Sequence, residues 1–161
     1  MGMIKILDST LREGEQTPYV NFSVDEKIEI AKLLDKIGVD MIEAGDVSVS
    51  PKIFEAVKRI CELNLKSEIV AHSLAIKSSI DKAKEAGVKR VVVFYPTSKI
   101  HLETKVKKTE EEALSIIKEH VSYAKKLGLN VRFTPEDATR TDFDFLVKAC
   151  NTAIQAGADR I

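Results

Sequence analysis

Residues 8–16 read Asp-Ser-Thr-Leu-Arg-Glu-Gly-Glu-Gln, carboxylates grouped around a single guanidinium directly after the apolar run Met3-Ile4-Lys5-Ile6-Leu7. An apolar strand ending in such a stretch must be buried, and it delivers Asp8, Arg12 and Glu13 to whatever cleft lies at the carboxyl edge of its sheet. Comparable groups close later apolar runs: Glu43 and Asp46, His72 and Ser73, Tyr95, then Arg132, Thr134, Glu136 and Asp137. These are acids, bases and cations, the groups that hold charged ligands and exchange protons. Plainer readings stand beside that one. Asp8 can cap a turn or orient Arg12, Arg140 can pair locally with Asp137, and Tyr95 can pack inside with its hydroxyl at the rim. Lys99, Lys105, Lys107 and Lys108 can meet an anionic substrate or cofactor tail, with a solvated loop as the plainer reading, and His101 and His120 receive no role.

The elements that must position these residues repeat a simple unit: an amphipathic helical stretch, a glycine, one or two polar residues, then a short apolar run. Four junctions follow it, at Gly38, Gly87, Gly128 and Gly157, each glycine suiting a helix C-terminus. A fifth junction uses Asn64, which tolerates the left-handed conformation, ahead of Glu68-Ile69-Val70-Ala71-His72. Ser23-Val24-Asp25-Glu26 and Thr109-Glu110-Glu111-Glu112 match the capping box, and Ser50-Pro51 puts proline at a first helical position. In the first helix Ile28, Ala31, Leu33 and Leu34 form the predicted apolar face, with Glu26, Lys27, Glu29 and Lys32 on a solvated one.

Strict alternation of strands and helices implies parallel strands joined by right-handed crossovers. Neither GxGxxG nor GxxxxGK[ST] follows the first strand, and chemical groups stand at nearly every strand end, which favours a barrel over an open nucleotide-binding sheet. The predicted fold is a partial (β/α)8 TIM barrel of about five βα units, ending inside a sixth strand.

Composition narrows the partner class. Twenty-five basic residues balance twenty-five acidic ones, giving no electrostatic footprint for nucleic acid or an anionic membrane. No run approaches the roughly 18 apolar residues of a membrane-spanning helix. Length fits one domain with a sizeable core. Cys61 and Cys150 belong to no CxxC pair and read as buried thiols in a reducing compartment, so a small-molecule partner and a cytoplasmic location are expected. Abundant lysine and glutamate, with glutamine only at 16 and 155, is a bias known in thermophile proteins.

Ile6-Leu7-Asp8-Ser9-Thr10-Leu11-Arg12-Glu13-Gly14-Glu15-Gln16-Thr17-Pro18 resembles the opening signature of the metal-dependent Claisen-condensing and lyase barrels, which are pyruvate-carboxyltransferase-like. The family includes 2-isopropylmalate, homocitrate and citramalate synthases and 3-hydroxy-3-methylglutaryl-CoA lyase. Most members carry aspartate where this chain has Glu13, and the Ser-Thr-Leu-Arg-Glu-Gly-Glu-Gln run is closest in type to homocitrate synthase of lysine biosynthesis. Ile42-Glu43-Ala44-Gly45, Ala71-His72-Ser73 and the stretch from Arg132 to Thr141 resemble the family's second, third and fifth strand motifs.

The resemblance implies an acyltransferase that condenses acetyl-CoA with a 2-oxo acid, 2-oxoglutarate first, in the presence of a divalent metal such as Mg, Mn or Zn. It implies Glu13 as a metal ligand, Arg12 as stabiliser of the ketone oxyanion, and His72, Arg132 and Thr134 as holders of the oxo-acid carboxylates. Glu136 is implied as a catalytic glutamate, with Asp8 and Glu43 in support and a homo-oligomer as the full-length form. Tyr19, Asp46-Val47 and Leu74 depart from the pattern, and the family's His-x-His metal motif does not occur, so the remaining metal ligands are expected beyond this chain. The 161 residues alone are expected to be inactive, with open strand edges exposing members of Ile69-Val70 and Val91-Val92-Val93-Phe94. Alternatives are an isopropylmalate, citramalate or lyase-type enzyme, and a non-catalytic half-barrel that acts only by assembly.

Overall fold

A computed structural model describes residues 4–161; Met3, the first residue of the expected opening strand, lies outside them. The strands are β1 (Leu7–Asp8), β2 (Met41–Asp46), β3 (Glu68–Leu74), β4 (Arg90–Pro96) and β5 (Asn130–Glu136). Helices α1 (Val24–Ile37), α2 (Pro51–Glu62), α3 (Lys77–Glu85), α4 (Lys99–His101), α5 (Glu110–Lys126) and α6 (Phe143–Gln155) alternate with them. Strand order is β1-β2-β3-β4-β5, and β2 runs parallel to both β1 and β3. Sequential order with a helix after each strand is the arrangement of the first five units of a (β/α)8 barrel.

The residues group into two compact units, one reaching to His72 and including Asp81–Arg90, the other formed by Ser73–Ile80 and Val91–Ile161. In the first unit, α1 begins at Ser23, whose hydroxyl accepts from the Glu26 amide (3.2 Å) while Glu26 accepts from the Ser23 amide (2.7 Å). It ends at Gly38, whose φ of 94° only glycine adopts without steric cost. Helix α2 starts as expected, with Ser50 as cap and Pro51 in the first turn, and the chain leaves it through Asn64 at φ 52°. Both helices pack on β2 and on each other, closing over Ile28, Ala31, Ile42, Val57 and Ile60.

The solvated face expected of α1 is wrong at one position. Lys27 is 1% exposed, whereas Leu33 is 58% exposed. The apolar stripe is therefore narrower than its sequence suggests, and the ammonium takes a place in the core because partners wait for it there. The opening strand also departs from expectation: only Leu7–Asp8 is paired, and Ile4 (90%) and Ile6 (62%) are exposed. Among the described residues β1 pairs with β2 alone, which puts it at an edge of the sheet.

In the second unit, α5 is capped by the Thr109–Glu112 box, and α5 and α6 both pack on β5 around Phe133, Ile117 and Ala149. Val91, Val92 and Val93 are fully buried, as is Val70 in the first unit with Ile69 nearly so, against the expectation that these strands would be exposed. Interior parallel strands are covered on their faces by crossover helices, which leaves exposure to the edge strand. Near the end of the chain Arg160 makes an isolated parallel bridge to Arg132 of β5. Cys61 and Cys150 are free and half-buried rather than fully so. Among the described residues no helix is long and apolar enough to cross a membrane.

Candidate active site

At the end of β1, Asp8 is spent on its own turn. Its carboxylate accepts from the Thr10 amide (2.9 Å) and hydroxyl (3.2 Å), so it caps the turn. The chain then coils tightly, the amides of Arg12, Glu13 and Gly14 all donating to the Ser9 carbonyl at 2.8–3.2 Å. Leu11 is driven into the core with no exposure, which turns the next side chain, Arg12, out toward the strand end. Its Nε donates to Glu43 Oε2 on β2 at 2.7 Å, and its Nη1 pairs with the Glu13 carboxylate. Glu43 is 2% exposed and its second oxygen has no protein partner, while Glu13 is 59% exposed. One guanidinium thus bridges a buried carboxylate and a solvent-facing one, with N–H donors to spare.

Beyond Glu43 the register of β2 against β3 slips by a bulge, and Gly45 sits at φ 148°. A Cβ there would lie 2.7 Å from Ile53 Cγ2, so only glycine lets α2 approach. The slip sets Asp46 beside His72, which is half-buried at the end of β3. Asp46 Oδ1 accepts from the Ser48 amide (2.9 Å) and hydroxyl (2.6 Å). A cavity of about 330 Å³ opens here, with Arg12, Gln16, Asp46 and Lys52 in its wall.

The second unit carries its own cluster. Along β5, Arg132, Thr134 and Glu136 share one face by strand alternation, while Val131 and Phe133 fill the core. Glu136 Oε1 accepts from Lys105 Nζ at 2.6 Å; its Oε2 is buried with no protein partner, as is the Thr134 hydroxyl. His101 Nδ1 stands 3.7 Å from Glu136 and 3.9 Å from Asp137, near enough for charge but too far for a hydrogen bond. Asp137 is held at φ 63°, its carboxylate forked onto Arg140 Nε at 2.7 and 2.9 Å. Arg140, and after it the Ser98 hydroxyl, keep the Asp137 carboxyl below the usual carboxylate range. The Thr97 amide donates to the Glu136 carbonyl (3.1 Å), and Thr141 donates to that of Asp137 (3.0 Å), locking the bend after the strand.

Of the residues singled out in the sequence, Arg12, Glu13 and Glu43 meet in the first unit, and Arg132, Thr134 and Glu136 line up in the second. At Glu136 these are joined by His101, to which sequence alone assigns no role, and by Lys105, which reads there foremost as part of a solvated loop. Their signal was Ser98, which caps α4 directly after β4 and so carries His101 one turn beyond a strand end. Tyr95 is 5% exposed, and burial raises its hydroxyl pKa. No group of three or more His, Cys, Asp or Glu able to hold a metal occurs among the described residues. Glu13 offers one hard oxygen donor with Arg12 against it, which does not make a metal site by itself.

A family model described as HMGL-like matches residues 3–161. Homocitrate synthase of Saccharolobus solfataricus is 57% identical over 165 residues, taking in 99% of this chain and 36% of that protein. Homocitrate synthase of Sulfurisphaera tokodaii is 55% identical over 162 residues, 98% of this chain and 35% of that one. The chain therefore spans about a third of the length of the curated relatives it matches. Among solved structures, HMG-CoA lyase of Bacillus subtilis superposes with a TM-score of 0.79 at 21% identity, covering 96% of this chain and 55% of that chain. Hydroxymethylglutaryl-CoA lyase of Pseudomonas aeruginosa does so at 0.76 and 19% identity, covering 96% and 55%. At these identities the structural likeness speaks for the fold.

Proposed function

Because the chain belongs to the HMGL-like family, we propose that it forms the N-terminal part of an acyltransferase that condenses acetyl-CoA with 2-oxoglutarate to give homocitrate. The observation that carries this reading is the 57% identity to a homocitrate synthase over nearly the whole chain. In the condensation a proton leaves the methyl group of acetyl-CoA, and the resulting carbanion adds to the ketone carbon. The carbonyl electron pair moves onto oxygen, which is then protonated, and water cleaves the thioester to release the free thiol.

Arg12 fits the oxyanion. Its guanidinium is oriented in advance by buried Glu43, so it meets the developing charge without reorganising, the condition under which one donor contributes most. Glu136 fits the later proton transfer, since its partnerless buried oxygen can accept from a water while Lys105 holds the other. In the second unit Arg132 and Thr134, on the same strand face, would bind an oxo-acid carboxylate by charge-assisted hydrogen bonds, a role the family resemblance also implies for His72 of the first unit. Glu13 would be one ligand of a divalent cation whose other ligands the described residues do not supply.

The test is thiol release by the full-length protein with acetyl-CoA and, in turn, 2-oxoglutarate, 2-oxoisovalerate, pyruvate and oxaloacetate. The highest kcat/KM is expected for 2-oxoglutarate. Preference for 2-oxoisovalerate would sink the homocitrate assignment and leave an isopropylmalate-type enzyme.

A further inference from the structure

We propose that Lys27 is a positioning residue: its buried ammonium clamps the loop that presents Arg12, and so governs turnover without touching a reactant. The kinetic part rests on the acyltransferase reading above; the clamp itself does not.

Lys27 is 1% exposed, on the first turn of α1. A buried ammonium is several kcal/mol unfavourable unless it is paired and hydrogen-bonded. Nζ has both kinds of partner: it donates to the Leu11 carbonyl at 3.0 Å and to Glu15 Oε2 at 2.5 Å. Leu11 and Glu15 bracket Arg12 and Glu13 in the chain, so one nitrogen ties down both ends of the turn that carries them. The turn is closed internally by the Glu15 amide on the Thr10 carbonyl at 3.1 Å. On the other side the β2 backbone comes near, a Cβ at Gly45 lying 4.0 Å from Nζ. Among the described residues Glu15, 18% exposed, is the carboxylate bonded to the ammonium, and Arg12 takes its own carboxylates from Glu43 and Glu13.

An apolar side chain of similar length would fill the same space without the desolvation penalty. It could not hold a carbonyl and a carboxylate from two points of one loop. The arrangement has the form of a second layer of residues that fixes the reacting layer, and displacement of a reacting group by about 1 Å can lower a rate on the order of a hundredfold.

The experiment compares full-length wild type with Lys27→Met, with Glu15→Gln, with the double variant, and with Lys32→Met as an exposed control on the same helix. Two quantities are read: kcat and KM for thiol release with acetyl-CoA and 2-oxoglutarate, and amide hydrogen exchange of residues 11–17. Lys27→Met is expected to lower kcat about 10- to 100-fold with KM within about twofold, and to speed exchange across residues 11–17 while α5 keeps its protection. Glu15→Gln should act in the same direction more weakly, and the double variant should recover part of the loss because no unpaired carboxylate remains. Lys32→Met should change neither quantity.

A lower melting temperature with unchanged kcat and exchange in Lys27→Met would make the lysine merely structural. A raised KM at constant kcat would mean contact with substrate, and would also overturn the proposal. Should Lys27→Met not fold, Glu15→Gln decides, wild-type kcat and exchange counting against the clamp. If wild type releases no thiol with any oxo acid, the acyltransferase reading fails, and exchange alone judges the clamp.

Discussion

The signature loop and the end of β5 carry similar side chains in opposite states. In the loop, charge is matched before anything binds: Arg12 lies between Glu43 and Glu13, and Lys27 is closed onto Glu15. At β5 the matching is incomplete, with Glu136 Oε2 and the Thr134 hydroxyl buried and partnerless, and His101 short of hydrogen-bond reach. The loop also keeps one orphaned acceptor, Glu43 Oε1, but its two cations are each closed onto carboxylates, which fixes geometry in advance, whereas the orphaned acceptors at β5 are satisfied by what arrives. In the function proposed above, the first region would meet charge that appears during a reaction and the second would receive a ligand or a water.

The difference can be broken most forcefully at Glu136. If its open oxygen takes a proton, Glu136→Gln should lower kcat by two orders of magnitude or more, on the scale of about 10²–10⁴ for a general base. Turnover within tenfold of wild type would place the residue in the scaffold. Glu43→Gln attacks the other side. Leaving Arg12 with a neutral partner should lower stability by about 2–3 kcal/mol in urea unfolding and reduce kcat at least tenfold. An unchanged midpoint and rate would show that Arg12 is positioned by Glu13 instead. Lys105→Met should do little, because this pair is half-open to solvent (48% and 27% exposed) and such pairs contribute about 0–1 kcal/mol. A large loss there would erase the distinction between the two regions.

The smallest effect concerns the half-buried thiol of α2. Burial, then the nearby Glu62 charge, raises the Cys61 pKa from 9.0 to about 11. The folded state therefore favours the neutral thiol. That contribution is fully present below pH 9 and is lost as pH rises through about 11, so stability should fall over that window and less so in Cys61→Ala. Equal alkaline stability curves would count against it.

Much of the framework was legible before any coordinates. Ser23, Ser50 and Thr109 cap the helices they were expected to cap, because a side-chain oxygen and the next three residues settle that locally. Arg12, Glu13 and Glu136 stand at strand ends, as the alternation of elements required. What stayed hidden depends on partners distant in sequence. Lys27 looks solvated until Leu11 and Glu15 are brought beneath α1, and Ile4 and Ile6 look buried until β1 is found at an edge. Lys105 and His101 join Glu136 only through a helical turn and π-helical segment, Leu102–Val106, that periodicity does not announce.

The central claim is that Arg12 is held ready for charge that exists only in the transition state, and Arg12→Lys in the full-length protein tests it most directly. Binding of 2-oxoglutarate by calorimetry and kcat by thiol release are measured on the same preparation. The account expects kcat to fall by about 10²- to 10³-fold while the dissociation constant stays within about threefold, since a compact ammonium cannot reproduce the fork that spans Glu43 and the oxyanion. A dissociation constant that rises as much as kcat falls, or a kcat near wild type, would contradict it.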